Sequence, residues 1–105
     1  MTRIIQNVNE FDEVINSGSV CVIDLFATWC GPCRMLAPII DKISEQSNAK
    51  YIVAKVDVDD LEEIAIRYGV NTIPTLLYFK NGELLEKSVG LRSEEAIKDT
   101  IEKYL

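Results

Sequence analysis

The amino-acid sequence predicts an α/β fold, in which a central mixed β-sheet is flanked by helices on both faces. Apolar, strand-like runs alternate with segments of helical periodicity along the whole chain. The length, 105 residues, is typical of one compact domain, and no linker rich in Gly, Pro or Ser divides it. We therefore predict a single domain over residues 1–105, with elements in the order β-α-β-α-β-α-β-β-α.

The first half of the chain predicts two strands, each followed by a helix. Arg3–Gln6 fits a short edge strand, and Asn9 is the expected N-cap of the first helix. Val20–Ala27 is an apolar run broken only by Asp24, as expected for a strand buried on both faces. The apolar residues at helical spacing are Phe11, Val14 and Ile15 in the first helix and Leu36, Ile39, Ile40 and Ile43 in the second.

The second half predicts a third strand, a helix, a hairpin and a last helix. Tyr51–Val58 is the strand, and Gly69 is placed to end the helix that follows it. Asn81-Gly82 is a strong hairpin signal between two further strands, Thr75–Phe79 and Leu84–Val89. The helical residues are Leu61, Ile64, Ala65 and Tyr68 before the hairpin and, after a Ser93 cap, Ile97, Ile101 and Leu105. The β-α-β part implies parallel strands and the hairpin an antiparallel pair, so the sheet is mixed.

Cys30-Gly31-Pro32-Cys33 is the motif that carries chemistry, and it lies between a buried strand and a helix. At a helix N-terminus, unpaired N–H groups and the positive end of the dipole favour an anion such as a thiolate. This placement lowers the pKa of Cys30 and makes it the expected nucleophile. Pro32 fits the first helical turn. Cys33, one step further in, is expected to be more buried and to react second.

Two other interpretations of the cysteine pair compete with redox chemistry. A C-x-x-C pair is often half of a zinc site, but this chain has no His and no second C-x-x-C, which leaves only Cys21 and carboxylates as further ligands. An inert structural disulfide is disfavoured because a two-residue loop constrains the unfolded chain very little. Redox function is therefore favoured, and Cys21 is expected to be a small buried core residue.

The segment Ala27-Thr28-Trp29-Cys30-Gly31-Pro32-Cys33-Arg34 resembles the active-site segment of the thioredoxin family. Ile73-Pro74-Thr75, Lys80-Asn81-Gly82 and Val89-Gly90 resemble further landmarks of that family, in the same order. The resemblance covers essentially the whole chain and implies the thioredoxin fold, with one thioredoxin domain over residues 1–105. It also implies a general protein-disulfide reductase, in which Cys30 attacks a substrate disulfide and Cys33 resolves the mixed disulfide.

The resemblance further implies where the electrons come from. Thiol–disulfide exchange needs no metal and no bound organic cofactor. Members of the family are usually recharged by thioredoxin reductase, which uses NADPH, and their other partners are proteins that contain disulfides. An oxidase or isomerase on the same fold is disfavoured because Gly31-Pro32 offers no charge that would strongly stabilise the thiolate. A scaffold that binds a partner, with incidental thiols, is disfavoured by the intact cysteine pair.

Asp24 and Lys55 are expected to serve the proton transfers of this reaction. Strand alternation places Asp24 on the face of Val22 and Phe26, where burial raises its pKa. The resemblance places this carboxyl beneath the cysteine pair, where it assists deprotonation of Cys33. It also places Lys55 near Asp24, although a lysine on a solvated strand face fits the sequence almost equally well.

A substrate-binding surface is expected around the cysteines. The resemblance implies that the Ile73–Pro74 peptide bond is cis and lies opposite the disulfide, so that the Ile73 backbone pairs with an extended substrate. Trp29, the only tryptophan, adjoins a motif that must be exposed to react. The expected substrate-binding residues are Trp29, Gly31, Pro32, Ile73, Pro74 and Gly90. Phe26, Thr28 and Arg34 stand where family members often carry Trp, an acidic residue and Lys, which bears on substrate preference.

The composition disfavours nucleic acids and membranes as partners of this chain. Seventeen acidic against 11 basic residues give a net charge of −6, which disfavours nucleic acid and anionic membranes. No apolar run approaches the roughly 20 residues needed to span a bilayer. Met1–Glu10 lacks the layout of a secretory signal, so a cytoplasmic location is expected. A monomer is expected because packing the helices leaves no apolar stripe.

Overall fold

The computed structural model describes residues 1–105 and contains five strands and four helices in the predicted order. The strands are β1 (Arg3–Ile4), β2 (Val20–Phe26), β3 (Tyr51–Asp57), β4 (Thr75–Lys80) and β5 (Glu83–Val89). The helices are α1 (Val8–Ile15), α2 (Gly31–Glu45), α3 (Glu62–Arg67) and α4 (Glu94–Tyr104). None of the four helices combines the length and the apolar character needed to cross a membrane.

The five strands form one sheet in the order β1-β3-β2-β4-β5. β3 lies between β1 and β2 and is parallel to both, whereas β4 is antiparallel to both β2 and β5. The sheet is therefore mixed, and the predicted α/β fold class is confirmed. β2 is the central strand, and six of its seven residues are buried.

Both faces of the sheet carry an apolar core, because the strands alternate their side chains between the two faces. Cys21, Ile23 and Leu25 of β2 point into the core that α1 and α3 cover. Val20 and Val22 point into the core on the opposite face, which α2 and α4 cover. The helix residues in these cores are Phe11, Val14, Ile15 and Ile64 on the first face and Leu36, Ile40, Ile43, Ile97 and Ile101 on the second.

The start of α1 differs from the prediction. Asn7, not Asn9, is the N-cap, since its extended backbone precedes the helix and its side chain accepts a hydrogen bond from the N–H of Glu10 at 2.8 Å. The Glu10 carboxylate in turn accepts from the N–H of Gln6 at 2.7 Å. Both asparagines carry the same capping signal, and the acceptor Glu10 three residues after Asn7 decides between them. Capping of this kind is worth about 1 kcal/mol.

Two other boundaries also differ from those predicted. β1 is shorter than Arg3–Gln6 and ends at Ile4, where the chain turns towards α1. Leu105, predicted on the buried face of the last helix, lies just beyond α4 and is 57% exposed. Residues beyond the last turn of a helix leave its apolar face, and Leu105 is the C-cap of α4. The predicted Ser93 cap is confirmed, because its side chain accepts a hydrogen bond from the N–H of Ala96 at 3.1 Å.

The predicted hairpin is confirmed, with Asn81 and Gly82 as its two-residue turn between β4 and β5. Both residues have positive φ, 52° and 79°, as in the primed turns that match the twist of paired strands. The N–H of Gly82 donates a hydrogen bond to the carbonyl of Ile15 at 2.7 Å. The turn is thereby attached to the C-terminus of α1.

Candidate active site

Cys30 and Cys33 lie at the N-terminus of α2, where β2 has just ended. Cys30 is the N-cap residue, and Cys33 belongs to the first turn. The two Sγ atoms are joined in a disulfide, with the Cα atoms 5.2 Å apart. The backbone N–H of Cys33 points at the Sγ of Cys30, 3.2 Å away. A thiolate formed at Cys30 on reduction would therefore meet a hydrogen-bond donor and the positive end of the helix dipole.

The two cysteines are almost equally buried. Cys30 is 5% exposed and Cys33 is 3% exposed, so the expected difference between them is small. Together with Ala27 they form a small apolar cluster, against which Phe26, Val58 and Ile73 pack. The cap position does not expose Cys30 because the segment around Ile73 covers it from the opposite side.

The segment before β4 faces the disulfide. The Ile73–Pro74 peptide bond is cis, as the resemblance implies. The carbonyl oxygen of Ile73 lies 3.9 Å from the Sγ of Cys30. Neither the N–H nor the C=O of Ile73 takes part in a backbone–backbone hydrogen bond. These two groups are free to pair with an extended chain that approaches the disulfide.

Gly90 lies beside the same segment. Its N–H donates a hydrogen bond to the carbonyl of Pro74 at 2.8 Å, which joins the end of β5 to the start of β4. Its φ is +91°, a conformation that residues with a Cβ rarely adopt. A Cβ at this position would meet no atom within 4 Å, so backbone conformation and not crowding requires the glycine.

Trp29 stands next to Cys30 and is 67% exposed, which makes it one of the most exposed large apolar side chains in the chain. Its indole Nε1 donates a hydrogen bond to Oδ2 of Asp59 at 2.8 Å. Asp59 follows β3 and is 30 positions away in the chain. No feature of the sequence identifies it as the partner of Trp29, since only the sheet brings the two loops together.

Asp24 is fully buried in the middle of β2, and neither of its carboxylate oxygens has a hydrogen-bond partner. Burial raises its pKa from 3.8 to about 7, and the charge of Lys55 offsets part of that rise. It alternates with Leu25 and Ile23 and so lies on the sheet face that α2 covers. The predicted burial of this carboxyl is confirmed, and that burial is the cause of its raised pKa.

Lys55 is the neighbour of Asp24 across the β2–β3 pair, close to Asp24 as the resemblance implies. It is half-buried, and its Nζ lies 4.4 Å from the centre of the Phe26 ring. An open cavity of about 270 Å³ brings Lys55 and Phe26 together with Cys33 and Arg34. The guanidinium of Arg34 donates to the carbonyl of Thr28 at 2.8 Å on the wall of this cavity.

Cys21 lies in the same strand as Asp24 but takes no part in this site. It is fully buried in the core that α1 covers, and its thiol donates to the carbonyl of Val14 at 3.2 Å. Burial raises the pKa of the thiol, which disfavours the thiolate. The predicted role of Cys21 as a buried core residue is confirmed.

The fold and the cysteine pair together define a class of protein. A C-x-x-C disulfide at the N-terminus of a helix, reached from the end of a central strand, is the arrangement of a thiol–disulfide oxidoreductase. The family model described as Thioredoxin matches residues 2–103. The chain belongs to the thioredoxin family.

Relatives and solved structures agree with this assignment. The thioredoxin of Bacillus subtilis is 43% identical over 85% of this chain and 86% of its own length. A mitochondrial thioredoxin of Mus musculus is 39% identical over 90% of this chain, and the match spans 57% of that longer protein.

Among solved structures, a mutant thioredoxin from Halobacterium salinarum superposes with a TM-score of 0.91 at 43% identity. That match covers 98% of this chain and 89% of the other. A chain from a study of thiol resolution in a yeast mitochondrial 1-Cys peroxiredoxin by the glutathione and thioredoxin systems has a TM-score of 0.86 at 31% identity. The match covers 97% of this chain and 94% of that solved chain. The protein is a thiol–disulfide oxidoreductase with the thioredoxin fold.

Proposed function

We propose that this chain reduces protein disulfides with Cys30 as the attacking thiolate and Cys33 as the resolving thiol. Cys30 attacks one sulfur of a substrate disulfide, which forms a mixed disulfide and releases the other substrate sulfur as a thiolate. Cys33, once deprotonated, attacks the Cys30 sulfur and releases the second substrate thiolate. The substrate gains two electrons, and the enzyme is left with the Cys30–Cys33 disulfide.

The observation that carries this proposal is the N–H of Cys33 pointing at Sγ of Cys30 across 3.2 Å at the helix N-terminus. The donor stabilises a thiolate at Cys30 but offers nothing comparable to Cys33, whose sulfur lies inside the first turn. The difference in the surroundings of the two sulfur atoms, more than their small difference in burial, supports the proposed roles of Cys30 and Cys33.

Asp24 and Lys55 are proposed to manage the proton of Cys33. A carboxyl with a pKa of about 7 accepts and returns a proton near neutral pH. Asp24 has no hydrogen-bond partner that would fix it in one protonation state. Lys55 adds a positive charge beside it, on the wall of the cavity that Cys33 also lines.

The substrate is proposed to lie over the disulfide as an extended segment. The unpaired backbone groups of Ile73 would bond its main chain, and the exposed ring of Trp29 would form an apolar wall beside it. Gly31 lies in the first turn of α2, and a Cβ added there would meet no atom within 4 Å. This open space leaves room for the substrate segment to approach the disulfide. The proposed contact residues are Trp29, Gly31, Pro32, Ile73, Pro74 and Gly90.

The proposed partners are a thioredoxin reductase that supplies electrons from NADPH, and client proteins with accessible disulfides. One solved relative comes from work on a peroxiredoxin, which supports oxidised peroxidases as one class of client. No cofactor is proposed to bind the chain itself. A monomeric single domain over residues 1–105 and a cytoplasmic location complete the proposal, and the free thiol of Cys21 is compatible with such a reducing compartment.

The test is insulin reduction with NADPH and a thioredoxin reductase, beside a Cys30→Ser variant. Rapid reduction by the wild type and none by the variant is the expected result. Reduction with dithiothreitol but not with the reductase would refute the reductase as the electron source and leave the exchange chemistry standing. If a Cys30→Ser, Cys33→Ser double variant kept full activity in cells, this chain would act as a scaffold that binds a partner and not as a disulfide reductase.

A further inference from the structure

Phe26 and Lys55 form a contact that the proposed reaction does not use. The ammonium of Lys55 lies 4.4 Å from the centre of the Phe26 ring, within the range of a cation–π interaction. Both side chains are half-buried on the wall of the cavity that Cys33 lines. Lys55 takes part in none of the seven salt bridges of the structure.

The absence of a salt bridge is unexpected because Asp24 is the direct neighbour of Lys55. The two residues are paired in the β2–β3 register, so their side chains leave the sheet on the same face. Both carboxylate oxygens of Asp24 lack a hydrogen-bond partner, and a buried carboxylate that is left without an opposite charge is strongly destabilised. The contact that the structure shows for the ammonium is with the Phe26 ring.

We propose that Phe26 is a positioning residue, which holds the ammonium of Lys55 at the cavity wall and so keeps it out of a salt bridge with Asp24. A salt bridge would favour the ionised form of Asp24 and so lower its affinity for the proton of Cys33. With the ammonium on the ring, Asp24 senses the positive charge from a distance and stays able to take up and release a proton. The inference rests on the role proposed above for Asp24.

The other charged groups near Asp24 do not replace this contact. On α2, Cys33 titrates only after reduction, and Arg34 is bound to the carbonyl of Thr28. Asp41, also on α2, is the other carboxylate whose charge acts together with that of Lys55, but it accepts a hydrogen bond from the N–H of Thr2 at 3.0 Å. The β4 neighbour of Asp24 is the uncharged Leu76.

Replacement of the ring by an aliphatic side chain tests the proposal. In Phe26→Leu the ammonium is free to move towards Asp24, so the proton affinity of the carboxyl should fall by roughly three- to tenfold. The measurement is the ¹³C NMR titration of the Asp24 carboxyl in the oxidised protein. In Phe26→Tyr, the matched control, the ring is retained and the titration should stay where it is in the wild type.

A double-mutant cycle separates this effect from a change in packing. In a Lys55→Met background, Phe26→Leu should leave the Asp24 titration unchanged, because there is no ammonium to release. The proposal would be overturned if the proton affinity of Asp24 were unchanged or higher in Phe26→Leu. It would also be overturned if Phe26→Leu shifted the Asp24 titration equally in the wild-type and the Lys55→Met backgrounds. If Phe26→Leu fails to fold, Phe26→Met provides the same test with a longer side chain.

The titration needs no disulfide exchange, so its result is independent of the proposed reductase activity. A shift in titration without insulin reduction by the wild type would support the role of Phe26 and refute the proposed function. In an active enzyme, the pH at which Cys33 resolves the mixed disulfide at half-maximal rate should move with the titration, to lower pH in Phe26→Leu.

Discussion

The indole Nε1 of Trp29 donates a hydrogen bond to Oδ2 of Asp59 at 2.8 Å, which joins the loop before the disulfide to the loop after β3. The bond lies at the surface, where water competes for both groups, so its net contribution is about 1 kcal/mol. Its effect is to fix a large exposed ring beside Cys30 before a substrate arrives. Such preorganisation lowers the entropy lost on binding.

Asp59→Ala should therefore weaken the binding of protein substrates more than it slows exchange. We expect the KM for insulin to rise by roughly fivefold with little change in kcat, since about 1 kcal/mol is lost from positioning. Steady-state insulin reduction measures both constants. Asp59→Asn, which retains a side-chain oxygen acceptor, should recover most of the loss.

A small disulfide provides the control for this experiment. Hydroxyethyl disulfide is too small to use the Trp29 wall, so its reduction by Asp59→Ala should match that by the wild type. An equal loss with both substrates would show that Asp59 acts on the cysteines and not through Trp29.

The burial of Asp24 predicts that the chain becomes less stable as the pH rises. Its folded pKa of about 7 exceeds the ordinary value of 3.8, so between these values the folded chain holds a proton that the unfolded chain has lost. The protonated Asp24 carboxyl therefore contributes fully to the free energy of unfolding below about pH 4, and this contribution is lost progressively as the pH rises to about 7. Asp24→Asn removes the titration and should stabilise the chain more at high pH than at low pH.

At about 1.4 kcal/mol for each pKa unit, the advantage of Asp24→Asn over the wild type should grow by roughly 2–3 kcal/mol between about pH 5 and pH 8. Urea unfolding of the two oxidised proteins at both pH values measures it. Other titrating groups are shared by the two proteins and cancel in the difference. A constant difference between the two proteins would contradict the raised pKa.

The same variant should slow the second step of the reaction. Without a carboxyl to take the proton of Cys33, resolution of a mixed disulfide should slow by roughly 10- to 100-fold near neutral pH. Stopped-flow release of a chromogenic thiol from the preformed mixed disulfide isolates this step. The wild-type rate should show an inflection near the Asp24 pKa of about 7 that Asp24→Asn lacks. Identical pH profiles would remove Asp24 from the mechanism.

The hairpin turn predicts a stability effect far from the disulfide. Gly82 has a φ of +79°, which costs a residue with a Cβ roughly 1–2 kcal/mol. A Cβ there would also displace the exposed side-chain amide of Asn16, which donates a hydrogen bond to the carbonyl of Asp12 at 2.8 Å. Gly82→Ala should lower the free energy of unfolding by at least the backbone cost, as measured by urea denaturation.

Gly31→Ala is the matched control. Gly31 does not have a positive φ, and a Cβ added there would lie in open space. Equal losses in both would argue against the turn geometry.

Most of the fold was predictable because its signals are local. The Asn81-Gly82 turn, the Ser93 cap and the apolar run of β2 each depend on residues close together in the chain. The errors are also local: Asn9 and Asn7 carry the same capping signal, and only the position of Glu10 decides between them. The cysteine pair was predictable for the same reason, since spacing and the flanking strand place both thiols at a helix N-terminus.

The amino-acid sequence alone thus determined the α/β class, the order of the elements and the redox disulfide of Cys30 and Cys33. Only the tertiary structure decided the strand order, the Trp29–Asp59 bond and the position of the Lys55 ammonium on the Phe26 ring rather than on Asp24. These contacts join residues about 30 positions apart, and no local spacing encodes which of two available partners a side chain meets. That choice is made when the sheet brings the ends of β2 and β3 side by side.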